Sequence, residues 1–112
     1  MKKFIVNYHS PQGAEEEMMG SPEDMQKMMS DWMKWKEDCH GAVVEFGTPL
    51  GNGMSVKKSG IEKSVQTVSG YSIMEAESMD DVVEMLKSHP HLNMPGGGCE
   101  IEVYESLPTP GM

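Results

Sequence analysis

Two histidines flank a proline near the end of the chain, in the run His89-Pro90-His91. Imidazole exchanges protons near neutral pH, so both rings are candidate catalytic groups, with His91 first because it lies beyond the proline. Together with His9 or His40, the pair has the donor chemistry of a zinc, copper or iron site. The structural alternative is a helix carboxyl end, where an imidazole meets the negative end of the helix dipole.

Candidate ligand-binding residues lie on the strands that the alternation of polar and apolar residues predicts. They are Tyr8 and His9 at the end of the first strand, Glu45 in the second and Glu102 in the last. On a face that lines a cavity between two sheets, a buried carboxylate would have a raised pKa and act as a general base. At the rim of the sheet the same carboxylates would be solvated, as most acidic side chains are.

Methionine makes up 13 of the 112 residues. Six of these side chains fall in one third of the chain: Met18, Met19, Met25, Met28, Met29 and Met33. Thioethers are soft ligands that suit Cu(I), so a soft-metal-binding protein that uses methionine and histidine is one alternative function. Their recurrence at steps of three and four predicts the buried stripe of a helix instead, and we therefore predict no metal site.

The charge balance excludes some classes of partner. Nine lysines and no arginine stand against 18 acidic residues, which gives a formal net charge of −9. A chain without a dominant basic patch is not expected to bind nucleic acid or an anionic membrane surface. The first seven residues lack the apolar run of a signal peptide, and Cys39 and Cys99 form no CxxC pair. We therefore expect a cytoplasmic protein with reduced thiols.

Local signals order the elements as β-α-β-β-α-β. Ser21-Pro22 begins the first helix, which should end near Cys39, and Ser78 begins the second, which Pro90 should stop. The predicted strands are Lys2 to Tyr8, Ala42 to Phe46, Ser64 to Ala76 and Cys99 to Tyr104, with a short ribbon around Gly60. The run Gly96-Gly97-Gly98 leads into a strand and not into the helix of a phosphate-binding loop, and we predict no cofactor.

This order of elements predicts an α+β, ferredoxin-like domain over residues 1–105, followed by a flexible tail over 106–112. Two helices should cover one face of a four-stranded antiparallel sheet and leave the other face open. An open face that carries Ile5 or Phe4, Val43 or Val44, Tyr71 and Tyr104 should not stay in water. We therefore predict a homodimer whose two sheets pack face to face as an α/β barrel.

Three segments resemble the YCII-related proteins. They are Gly70 to Ala76 followed by a helix, then His89-Pro90-His91, and then Gly97 to Tyr104. The break Gly47-Thr48-Pro49 after the second strand resembles the Gly-Pro of the same family. The resemblance covers nearly the whole chain and implies the dimeric α/β-barrel superfamily, which includes cofactor-free oxygenases, lactone isomerases and many binding proteins.

The chain departs from the family at the residues suggested as a catalytic dyad. Many members carry a histidine on the first helix and an aspartate in an Asp-Pro at the end of the second. Here no histidine occurs between Ser21 and Asp38, and His89-Pro90 replaces the Asp-Pro. The resemblance therefore transfers Gly47, Pro49 and Pro90 but not the dyad.

The leading functional prediction is a small dimeric protein that binds a small molecule in a cavity at the sheet face. The alternatives are a cofactor-free isomerase or oxygenase that acts on a small ring compound, and the soft-metal binder described above. Whether the chain is an enzyme is left open. The cavity is expected between the open face and the end of the second helix, near His91, His89 and Tyr8 or His9.

Overall fold

The computed structural model describes residues 1–11, 21–94 and 97–111. Its strands are β1 (Lys2–His9), β2 (Val43–Glu45), β3 (Met54–Lys57), β4 (Gly60–Lys63), β5 (Val68–Ala76) and β6 (Glu100–Glu105). Its helices are α1 (Pro22–Asp38), α2 (Met79–Leu86) and a 3₁₀ helix (Pro90–Asn93). Met18, Met19 and Gly96 of the predicted features lie outside the described residues.

Four of the strands form one antiparallel sheet in the order β2-β5-β1-β6. The two strands that begin and end the chain, β1 and β6, are neighbours, and each helix links strands that are not hairpin partners. This is the ferredoxin-like α+β arrangement, and the predicted fold class is confirmed. The strands β3 and β4 form a separate two-stranded ribbon, as the turn residues around Gly60 predict.

The two faces of the sheet follow from the period of two in β1. Phe4, Val6 and Tyr8 point to the helix-covered face and are buried, whereas Ile5 and His9 point to the opposite face. We call this second face the open face. The single-domain boundary at residue 105 stays a prediction, although the amide of Ser106 donates to the carbonyl of Lys3 at 2.8 Å and continues the edge pairing.

Helix α1 begins at the predicted capping residue. The hydroxyl of Ser21 accepts from the amide of Asp24, whose carboxylate accepts in turn from the amide of Ser21. This capping box satisfies two amides that the helix itself leaves unpaired. The helix ends before His40 and Gly41, which both adopt positive φ angles of 50° and 88° and so turn the chain out of the helix.

The buried stripe of α1 differs from the predicted one. Met25, Met29 and Met33 are 39%, 51% and 42% exposed, while Trp35 is the most buried residue of the helix. Burying an indole removes more apolar surface from water than burying a thioether, so the tryptophans determine which side of the helix faces the sheet. The methionine stripe is therefore mostly a surface and not the core.

Strand β5 is shorter than predicted, because it begins at Val68 and not at Ser64. Val68 pairs with His9, the last residue of β1, so the residues before it have no neighbouring strand on that side. Helix α2 also ends earlier than predicted, at Leu86. Pro90 does not stop α2 but begins the 3₁₀ helix, and the intervening turn directs His89 inward.

Candidate functional site

Five ring side chains contact one another on the helix-covered face, at the end of β1. This ring cluster consists of Tyr8, Trp32, Trp35, His89 and His91. The imidazole of His89 lies at its centre, with its ring centroid 4.3 Å from those of Trp32 and Trp35 and 4.9 Å from that of Tyr8. Strand β1, helix α1, the turn before the 3₁₀ helix and the 3₁₀ helix itself therefore supply its residues.

The protonation state of His89 follows from its contacts. The side chain is 0% exposed, and its Nδ1 accepts the backbone N–H of His91 at 2.9 Å. Burial lowers the pKa of His89 to about 3, with a smaller contribution from His91. The ring is therefore neutral, and because Nδ1 is an acceptor, the single proton resides on Nε2.

His91 is 4% exposed, and its Nε2 lies 2.9 Å from the backbone oxygen of His9. A carbonyl oxygen only accepts, so Nε2 of His91 donates. Burial lowers the pKa of His91, while the backbone oxygens of His9 and Glu100 oppose that shift. The ring joins the 3₁₀ helix to the end of β1.

Tyr8 begins a short chain of hydrogen bonds. Its hydroxyl lies 2.8 Å from Oγ of Ser72, which donates to the backbone oxygen of Phe46 at 2.7 Å. Since the one proton of Ser72 is used on Phe46, Tyr8 donates to Ser72. Burial raises the pKa of Tyr8 to about 12, and burial together with Asp38 raises that of Cys39 to about 11.

Two nitrogens in the ring cluster are buried without a hydrogen-bond partner among the described residues. They are Nε2 of His89 and Nε1 of Trp32. In contrast, Nε1 of Trp35 donates to the backbone oxygen of Met85 at 2.9 Å. The cluster therefore holds one satisfied indole N–H beside two N–H groups that find no acceptor in the described part of the chain.

The predicted site residues divide between the two faces of the sheet. Tyr8, His89 and His91 come together in the ring cluster. His9, Glu45 and Glu102 belong to the open face. There, Nε2 of His9 lies 2.7 Å from Oε1 of Glu102, but the angle between them does not make a hydrogen bond. The sequence predicted the six residues as neighbours of one cavity, and their joint role in binding stays a prediction.

The carboxylates of the open face have partners on the same face. Glu45 accepts the hydroxyl of Tyr71 at 2.6 Å, and Glu102 accepts that of Tyr104 at 2.7 Å. The carboxylate raises the pKa of the phenol that it faces in each pair. Both glutamates are exposed in the single chain, so solvent also reaches them.

The described residues include no candidate metal site, and the groove on α1 lies away from the ring cluster. Among the described residues no group of three histidine, cysteine or acidic side chains is arranged to hold a metal ion. A shallow groove of about 640 Å³ runs along the outer side of α1, past Met25, Met29 and Met33. The groove includes none of the predicted site residues.

None of the described helices is long and apolar enough to cross a membrane.

Sequence reasoning did not connect Trp32 and Trp35 with the histidines. Their spacing of three, which places both on neighbouring parts of one helix surface, was the available signal. The contact of α1 with the turn at His89 joins segments that are distant in the sequence. No local sequence pattern predicts it.

The fold is similar to that of an enzyme of known structure. The chain superposes with a TM-score of 0.52 and 17% identity on a 5-chloro-2-hydroxyhydroquinone dehydrochlorinase from Burkholderia phenoliruptrix AC1100, solved in complex with 2,5-dihydroxybenzoquinone. The match covers 89% of this chain and 90% of that one. No family model matches the sequence, and no curated protein matches it. The structural likeness establishes the fold.

Proposed function

We propose that the chain is a homodimeric, small-molecule-binding protein of the YCII-related type, and that the ring cluster contacts its ligand. The observation that carries this proposal is the ring cluster itself, in which aromatic side chains surround a few polar atoms. Small-molecule sites have this composition, because apolar walls supply affinity and a few polar groups fix orientation. The similar dehydrochlorinase was solved with a planar ring compound, which supports a ligand of that shape.

The pKa shifts favour binding over proton transfer at this cluster. A general base works best when its pKa lies near the operating pH. Tyr8 and His89 are shifted away from neutrality in opposite directions, to about 12 and about 3. Both groups therefore keep their protons fixed at neutral pH and act as hydrogen-bonding groups.

A screen of planar ring compounds by thermal shift tests the proposed binding. A ligand present at about 100 times its Kd stabilises the folded state by about 2.7 kcal/mol, which raises the melting temperature by several degrees. We expect compounds that stabilise the native chain to lose this effect in Trp32→Ala. Met29→Ala, on the outer groove of the same helix, is the matched control and should keep it.

The opposite pattern would contradict the proposed site. If compounds stabilise Trp32→Ala as well as the native chain, or lose their effect only in Met29→Ala, the ring cluster is not where they bind. If none of the ring compounds shifts the melting temperature of the native chain, the proposed function fails as a whole.

The homodimer is expected to form through the open face. Ile73, Ile5 and Tyr104 lie side by side across three adjacent strands and make an apolar row in its middle. Glu45 stands at one end of this row, opposite Ile73. An apolar centre with polar groups at its edge is typical of a surface that a second copy covers.

Sedimentation of the native chain should give twice the monomer mass of 12.4 kDa. Ile5→Lys places a charge in the middle of the apolar row and should shift the mass to that of the monomer. Val56→Lys, on the exposed side of the ribbon, is the control and should leave the dimer intact. A native chain that sediments as a monomer at micromolar concentration would refute the dimer.

A further inference from the structure

Two N–H groups of the ring cluster are buried without a hydrogen-bond partner among the described residues. Nε2 of His89 must carry a proton, because Nδ1 of the same ring accepts the amide of His91. Indole nitrogen is always a donor, so Nε1 of Trp32 also carries a proton. The rings that bear these two donors contact each other, with centroids 4.3 Å apart and planes at 88°.

Leaving such donors unpaired is energetically costly. A buried donor without an acceptor loses its hydrogen bonds to water and gains none in return, and most buried polar groups in folded proteins are paired for that reason. The neighbouring Trp35 shows that this fold can pair an indole in the same cluster, since its N–H reaches the oxygen of Met85. Within the described part of the ring cluster, the unpaired nitrogens are those of Trp32 and His89.

We propose that the N–H groups of His89 and Trp32 bind the carbonyl oxygen of a neutral, planar ring compound. This inference rests on the proposed function and specifies the class of ligand. A carbonyl oxygen has two lone pairs, so one atom can accept from both donors. The ring to which it is attached then packs against the faces of the cluster, as aromatic side chains do with one another.

The charge of the surroundings selects a neutral carbonyl over a carboxylate or phenolate. Both donors are uncharged, and the five residues of the ring cluster include no lysine. The ammonium of Lys36 on the same helix lies over the ring of Phe46, 5.7 Å from its centroid. Burying an anion without a cationic partner is strongly unfavourable, and the net charge of −9 adds to that cost.

Nuclear magnetic resonance of the full ¹⁵N-labelled chain tests this assignment, because the indole N–H of Trp35 already has an acceptor and that of Trp32 has none among the described residues. The probes are 1-indanone, which offers a ring carbonyl, indane, which has the same ring system without oxygen, and benzoate, which is an anion. With 1-indanone we expect the indole N–H resonance of Trp32 to move downfield by more than it does with indane. The resonance of Trp35, already bonded to Met85, should not show this additional shift.

Two variants remove one donor each and keep the rest of the cluster. Trp32→Phe retains an aromatic ring but lacks the N–H. His89→Asn lacks the Nε2–H group, while its Oδ1 can still accept from the amide of His91. Each variant should weaken 1-indanone binding about three- to tenfold, the range for one hydrogen bond between neutral groups, and change indane binding much less. If His89→Asn does not fold, Trp32→Phe alone decides the outcome.

The outcomes separate this inference from the proposed function. If ring compounds bind but 1-indanone binds no more tightly than indane, the carbonyl assignment is wrong and the proposed function stands. Tighter binding of benzoate also overturns the neutral carbonyl. If the resonance of the Trp32 indole N–H shows a hydrogen bond already in the absence of ligand, a trapped water is the acceptor. The carbonyl assignment is then also wrong. If no ring compound binds, the proposed function itself fails.

Discussion

Acidification from pH 7 to pH 5 is expected to lower the free energy of unfolding steeply, because the buried His89 stays uncharged in the folded protein. Its folded pKa of about 3 lies below the value of 6.5 for an ordinary histidine. Between these two values the unfolded chain binds a proton that the folded chain does not. Stability is therefore full above pH 6.5 and is lost as the pH falls toward 3.

The slope of this loss is large for so small a domain. One imidazole contributes up to about 1.4 kcal/mol per pH unit, and His91 shifts in the same direction. A domain of this kind has a total stability of only about 5–15 kcal/mol. The window from pH 7 to 5 also lies above the range in which ordinary carboxyl groups titrate, so histidines dominate it.

Urea unfolding at pH 7, 6 and 5 measures the effect. His89→Asn should flatten the dependence on pH, because it removes the group that cannot be charged in place. His40→Asn is the matched control, since His40 is exposed at the end of α1 and its loss should leave the slope unchanged. Equal slopes in the native chain and His89→Asn would show that the acid sensitivity comes from other groups.

The parts of the fold that local chemistry determines could be read from the sequence. That Phe4, Val6 and Tyr8 share one face follows from strand periodicity, which left open whether Phe4 or Ile5 lies on the open face; in the structure all three are buried. The start of α1 follows from Ser21 and Pro22, because a capping box involves only four consecutive residues. Both features depend on neighbours in the chain and not on the assembled fold.

The parts that depend on packing between distant segments were not predictable in the same way. The rotation of α1 depends on which side chains bury most area against the sheet, and this exposes Met25 and Met29. The position of His89 depends on a turn after α2 that packs against α1. A motif of two histidines around a proline fits either face of the sheet, so sequence alone could not place the ring cluster.

Gly47→Ala is expected to be the most destabilising small substitution in the chain. Gly47 has a φ angle of 79°, which L-residues adopt at a cost of about 1–2 kcal/mol. A Cβ atom there would lie 1.8 Å from the backbone oxygen of Tyr71 and 2.8 Å from its carbonyl carbon. Strand β5 lies within the sheet and has little freedom to move away. Strain and overpacking together predict a loss of about 2–5 kcal/mol.

The same substitution should disturb the ring cluster, because Gly47 follows Phe46, whose backbone oxygen ends the chain of hydrogen bonds from Tyr8. The backbone oxygen of Phe46 accepts from Ser72, and Ser72 accepts from Tyr8. A shift of the chain away from Tyr71 therefore carries Phe46 with it and weakens this chain of hydrogen bonds. We expect Gly47→Ala to reduce binding of ring compounds even where enough folded protein remains to measure it.

Gly41→Ala is the control that separates backbone strain from the close approach. Gly41 has a similar φ angle of 88°, but a Cβ atom there would have no neighbour within 4 Å. Its substitution should therefore cost only the strain, about 1–2 kcal/mol, and leave ligand binding unchanged. Urea unfolding of both variants gives the difference directly. Equal losses would mean that the contact with Tyr71 relaxes freely, and that β2 and β5 are less tightly held than their pairing indicates.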